Sequence, residues 1–144
     1  MNDAVTEQVS NIMHEIFNKQ GALQALGARI VHIGRGTCET LLPMSPAASQ
    51  HHGFFHGGVI GTLGDATGGL TANSLMLPDY DCLAVEYKIN FLAPAKGEAL
   101  IGRGKILRAG KTLAVTSVEL LSLNQGVEKL CAVMQQTVFA IEQK

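Results

Sequence analysis

Residues 57–75, GGVIGTLGDATGGLTANSL, form an apolar stretch with a single charged residue, Asp65, near its middle. Nothing else in the chain restricts the fold so much. A helix that is apolar or small all round has no face to show to water and has to be buried. Gly61, Gly64, Gly68 and Gly69 would each cost about 1 kcal/mol against alanine in a helix interior. Burial compensates if the missing side chains let a sheet or a second helix approach closely. A membrane span is the other way to bury such a segment, but Asp65 and the six glycines between Gly57 and Leu77 argue against it. The expectation is a central helix from about Gly57 to Leu75, with the rest of the chain wrapped around it.

The approach to that helix, Gln50-His51-His52-Gly53-Phe54-Phe55-His56-Gly57-Gly58, is a polar loop ending on two glycines. Glycines at a helix start let the free backbone N–H groups come close to a ligand oxygen. Asp65, a carboxylate further along an apolar helix, has no structural reason to be there, because an unpaired buried charge is costly. Oxyanion donors at one end and an acid in the middle suggest acyl transfer. Gly57 and Asp65 are eight residues apart, which is about 12 Å along a helix axis. Both would have to lie roughly 3 Å from one carbonyl group, so a single chain cannot easily supply both. Two copies with antiparallel helices side by side can, which predicts a symmetric homodimer with shared sites.

The rest of the sequence reads as one domain, residues 1–144, of class α+β. Residues 5–19 place Val5, Val9, Ile12, Met13 and Ile16 at helical steps, with a stop at Gly21. Short strands follow at about 28–34 and 37–43, and an irregular loop runs from Pro43 to Phe55. After Pro78 the period changes to two. Leu83, Val85, Tyr87, Ile89 and Phe91 alternate with polar or small residues as a half-buried strand. Residues 98–107, 112–123 and 127–141 continue it as hairpin-linked strands, with turns at Arg108–Lys111 and Asn124–Gly126. The simplest architecture is an antiparallel sheet curled around the long helix, with an extra N-terminal helix.

Composition excludes several function classes. A net charge of −1 gives no support to wholesale nucleic-acid or membrane binding. Positive charge is nevertheless concentrated between residues 88 and 111, where six Lys or Arg face only Glu98, a local balance of +6 − 1 = +5. That suits a small anionic ligand such as a nucleotide phosphate. Three cysteines, Cys38, Cys82 and Cys131, are odd in number and share no short spacing, so neither a disulfide framework nor a zinc site is expected. A metal bound by His51, His52, His56 and Asp65 would need one face to collect them, and adjacent histidines rarely point together. No cofactor is expected, and the polar, acidic start of the chain makes a cytoplasmic location the default.

His56-Gly57-Gly58, Leu63-Gly64-Asp65, Tyr87-Lys88-Ile89-Asn90-Phe91-Leu92-Ala93-Pro94-Ala95 and Gly110-Lys111-Thr112-Leu113-Ala114 together resemble the hotdog-fold acyl-CoA thioesterases, most nearly the phenylacetate-degradation (PaaI-like) branch and its mammalian relatives. The likeness runs over nearly the whole chain. It implies hydrolysis of an aryl- or medium-chain acyl-CoA by a homodimer, often paired into a homotetramer. It implies Asp65 as general base or nucleophile, the Gly57 N–H as oxyanion donor, His56 shaping the substrate end, and Gln50 contacting the acyl carbonyl or the water. Coenzyme A contacts would come from Gly58, from Ala84, Val85 and Glu86, from Asn90 and Phe91, and from Arg108, Gly110, Lys111 and Thr112. Two positions depart from the pattern. Gly69 stands where many relatives carry a serine or threonine, and Ala84 where the mammalian ones carry a serine; either loss would slow the reaction or move water positioning onto Thr67 or Gln50. The alternatives are a non-catalytic acyl-CoA binder on the same fold, and a hotdog dehydratase or hydratase, whose catalytic His motif is not found here.

Overall fold

The structure, a computed structural model, describes residues 3–143. In chain order the elements are α1 (Glu7–Asn18), α2 (Gly21–Ala25), β1 (Arg29–Gly34), β2 (Thr37–Pro43), a 3-10 turn at Pro46–Ala48, α3 (Gly57–Met76), β3 (Tyr80–Phe91), β4 (Ala99–Ala109), β5 (Leu113–Asn124) and β6 (Val127–Glu142). The strands make one antiparallel six-stranded sheet in the order β1-β2-β4-β5-β6-β3. This is the hotdog arrangement, with α3 as the filling: Leu63 and Leu70 on the helix and Leu42, Leu100, Val118, Leu120 and Met134 on the strands are buried together. Each such side chain contributes about 1.5–3 kcal/mol by leaving water.

Close approach between helix and sheet explains the glycines. A Cβ on Gly64 would stand 2.6 Å from Met134 Cε, and one on Gly102 would stand 2.6 Å from Thr67 Oγ1. A Cβ on Gly104 would collide with Thr71 Oγ1. Three of the buried threonines in this contact are satisfied within it: Thr67 Oγ1 donates to Leu63 O at 2.6 Å and lies 2.7 Å from Thr40 Oγ1, and Thr71 Oγ1 donates to Thr67 O at 2.7 Å. Short polar side chains can occupy this interior because the helix backbone supplies their partners.

Three sequence expectations change. The first helix stops at Asn18, and Gly21 opens a further five-residue helix, α2, anchored by buried Leu23; one turn is too short to show a period. Arg108 and Ala109 belong to β4, opposite Val115 and Ala114, so the turn into β5 is tighter than Arg108–Lys111. The third concerns β3, which is not half-buried. Leu83, Val85, Tyr87 and Phe91 are 61%, 59%, 45% and 55% exposed. β3 is one of the two edge strands of the sheet, and no further strand pairs beyond it among the described residues. No helix among the described residues is long and apolar enough to cross a membrane.

Candidate active site

The loop before α3 is held by its own backbone. Gln50 N donates to Phe54 O, Gly53 N to Gln50 O, and Phe55 N to Ala95 O, each at 2.9 Å. Gln50 Oε1 accepts from the His52 N–H, which leaves the amide NH2 of Gln50 as its free end. His56 is the N-cap of α3: its Nδ1 accepts from Gly58 N at 2.9 Å. The neutral imidazole must then carry its proton on Nε2. With Gly58 taken, the N–H of Gly57 is left without a partner among the described residues at the helix start, where the dipole favours negative charge. Gln50, Gly57 and Phe91 line one cavity of about 540 Å³ with Phe54, Leu92 and Pro94. The Phe91 ring covers Gly57 closely; a Cβ there would meet Phe91 Cζ at 3.3 Å.

Asp65 lines a different cavity, of about 270 Å³, walled by Gly69, Leu70 and Asn73 of α3, Cys82 and Ala84 of β3, Gln136 of β6 and, from the N-terminal segment, Ile16 and Gln20. Gly57 does not reach it. The carboxylate accepts a short hydrogen bond from Gln136 Nε2, which also points to the Asp65 backbone oxygen at 3.3 Å. Burial pushes the Asp65 carboxyl above the usual carboxylate value, and the Gln136 bond partly offsets this. Cys82 beside it is a neutral thiol, pushed up to about 12 by burial and by the negative charges of Asp81 and Asp65, and donates to Gly69 O at 3.4 Å. It is no nucleophile.

The structure thus divides the residues singled out in the sequence. Gln50, His56, Gly57, Gly58 and Phe91 gather at the start of α3, while Asp65 and Gly69, about two to three turns further along the helix, gather with Ala84 of β3. Ala84, Val85 and Glu86 sit at a bulge in β3, all exposed, and Asn90 accepts from Lys88 Nζ at 3.1 Å. Arg108 follows a bulge in β4, and Gly110 N closes the hairpin on Leu113 O at 2.8 Å, with Lys111 and Thr112 between them. The hairpin residues line neither of these two cavities. Thr67 is a correction: fully buried, with its hydroxyl engaged by Thr40 and Leu63, it cannot position a water. Gln136 was not singled out in the sequence. Its signal was parity, because Ala132, Met134, Gln136 and Val138 are the inward residues of β6 and only one of them is polar. Among the described residues no three His, Cys, Asp or Glu side chains converge as metal ligands.

Comparison with known proteins resolves what this arrangement is. The thioesterase superfamily model matches residues 52–129, from the loop histidines into β6. The chain belongs to the thioesterase superfamily. A relative in Saccharolobus solfataricus, described as a putative esterase, is 32% identical over 111 residues, 74% of this chain and 76% of its own length. Mouse acyl-coenzyme A thioesterase 13 is 29% identical over 85% of this chain and 89% of its own. A Silicibacter pomeroyi thioesterase-family structure superposes with a TM-score of 0.91 at 34% identity, covering 94% of this chain and 99% of its own. The Escherichia coli PaaI protein shares the fold, with a TM-score of 0.85 at 20% identity over 98% of this chain and 99% of its own. As a member of this superfamily the chain is a thioester hydrolase, a hotdog enzyme of PaaI-like form.

Proposed function

We propose that this thioesterase hydrolyses aryl- or medium-chain acyl-CoA, with each active site built from two chains. One observation carries the reading: Asp65 and the free Gly57 N–H line two separate cavities of the same chain, each holding half of what acyl transfer needs. In a dimer whose α3 helices run antiparallel, the Gly57 half of one chain completes the Asp65 half of the other. The edge strand supports that pairing. β3 offers unpaired backbone groups and the exposed apolar side chains Val85, Tyr87 and Phe91, a combination that single chains avoid leaving open. Leu83, Phe139 and Leu113, opposite one another on three strands and all exposed, offer such dimers a surface for pairing into tetramers.

In this reading the Gly57 N–H polarises the thioester carbonyl and Gln50 orients it. Asp65 either takes a proton from water as the water oxygen attacks the carbonyl carbon, or attacks that carbon itself to give an anhydride that water then opens. Collapse of the tetrahedral oxyanion breaks the C–S bond, and the departing coenzyme A thiolate takes up the proton that Asp65 removed from water or, on the anhydride route, a proton from solvent. The acyl group enters the 270 Å³ cavity beside Asp65. An apolar cavity of about 150 Å³ accepts benzene, so an aryl group or a medium chain fits. Asn90, Glu86 and the basic hairpin around Arg108 and Lys111 are the proposed coenzyme A contacts, in keeping with a cytoplasmic enzyme acting on a soluble thioester.

The test is free-thiol release from a panel of aryl, short, medium and long acyl-CoAs by wild type and Asp65→Asn. The expected outcome is turnover of aryl or medium acyl groups that falls at least about a hundredfold in the variant, the scale of losing a main catalytic group. Equal turnover by the two proteins would remove Asp65 from the mechanism.

A further inference from the structure

The side chain that meets the carboxylate of Asp65 comes from a strand distant in sequence. Gln136 lies on β6, 71 residues away in sequence, and is completely buried. Its Nε2 sends both of its recorded hydrogen bonds to Asp65, one to Oδ1 and one to the backbone oxygen. A carboxylate only accepts, so the nitrogen end of the amide has to face it. The other end, Gln136 Oε1, is buried without a partner among the described residues. A buried carbonyl left unpaired is costly, and a methionine of similar shape would avoid that cost. The helix has also given way to this amide, since a Cβ on Gly68 would collide with Gln136 Oε1. Two sacrifices, an unpaired oxygen and a missing side chain, converge on one contact with Asp65.

We propose that Gln136 is the positioning residue of this active site, its amide holding Oδ1 of Asp65 so that Oδ2 is presented to the attacking water or the thioester. The proposal rests on the reading of Asp65 as the catalytic acid. Oδ2 has no protein partner among the described residues, so with Oδ1 tethered the carboxylate has one fixed plane and one working oxygen. A near-attack geometry of that kind is lost when the group can rotate.

The tether also has a sign in pH. Around the carboxylate, β6 presents neutral Gln136, the N-terminal segment neutral Ile16 and Gln20, and β3 the titratable Cys82 and Asp81. Gln136 is the group that favours the ionised form against the desolvation that opposes it. Without its N–H the carboxyl shifts further up, and the acid limb of the rate profile moves to higher pH.

The experiment is steady-state thiol release across pH with Gln136→Met, which keeps the volume and removes the donor, and Gln136→Glu, which sets a second carboxyl beside the first. Expected for Gln136→Met is a kcat at least about tenfold lower with KM within about threefold, the pattern of a lost transition-state contact. The acid limb moves up, and thermal stability is unchanged or higher. Gln136→Glu moves the limb higher still and carries the test if the methionine variant fails to fold. An unmoved acid limb with wild-type kcat overturns the proposal, and so does a fall in stability alone, which is the mark of a purely structural glutamine. Asp65→Asn in the same assay separates the two readings. If it is inactive while Gln136→Met matches wild type, only the positioning role fails; if it is active, the acid assignment itself fails.

Discussion

At the scale of single residues, Asp65 is a carboxylate held at a stability cost, and the proposed chemistry is what that cost would serve. Its folded-state carboxyl sits above the ordinary value of 3.8, with desolvation as the main cause and the Gln136 bond working against it. The sign follows directly. A carboxyl raised by folding favours the native state below its unfolded value, and that contribution is lost as pH rises through the folded value. Asp65→Asn should therefore melt higher than wild type at neutral pH, by about 2–4 °C if the relief is near 1 kcal/mol. The gain should shrink as pH falls through the raised folded value of Asp65 and be gone below about pH 4, where the unfolded carboxyl is protonated as well. Thermal melts of both proteins at several pH values check this, and a gain independent of pH would contradict it. His56 makes the complementary point. Its ring is spent on Gly58, and that leaves the neighbouring Gly57 N–H unpartnered.

At the scale of elements, α3 shows what the sequence displays and what it hides. Its existence, its start at Gly57 and its burial were legible, because an all-round apolar stretch has few alternatives. Its packing partners were not: the collision of a Gly104 Cβ with Thr71 is a fact of tertiary contact. Gly104→Ala should cost about 1–3 kcal/mol by overpacking, read as a lower denaturant midpoint with an unchanged slope. A midpoint equal to wild type would show that helix and sheet have slack there. The site was legible in the same uneven way. Gln50, His56, Gly57 and Asp65 stand in one short stretch of sequence around a helix start. Gln136 reaches Asp65 only through the sheet, so the polar inward position on β6 was visible and its partner was not. The exposure of β3 was hidden for a related reason: alternation marks a strand with an apolar face but not the molecule that covers it.

At the scale of the whole molecule, a superfamily fold with a divided site explains features that a single chain leaves unexplained. Those are the open edge of β3, the apolar side chains along it, and the Gly57 N–H and the Asp65 carboxylate in different cavities. The central claim is that each active site takes Asp65 from one chain and the Gly57 N–H from another. Proline suits the first position of a helix and removes only the N–H, and His56 already has the extended ψ of 137° that precedes a proline. The decisive measurement mixes Asp65→Asn with Gly57→Pro, each inactive alone, after unfolding and refolding them together in equal amounts. Random pairing makes half of the dimers mixed, each with one intact site, so activity should return to about a quarter of wild type. Activity no higher than that of the separate variants would place both groups in one chain's site and contradict the account.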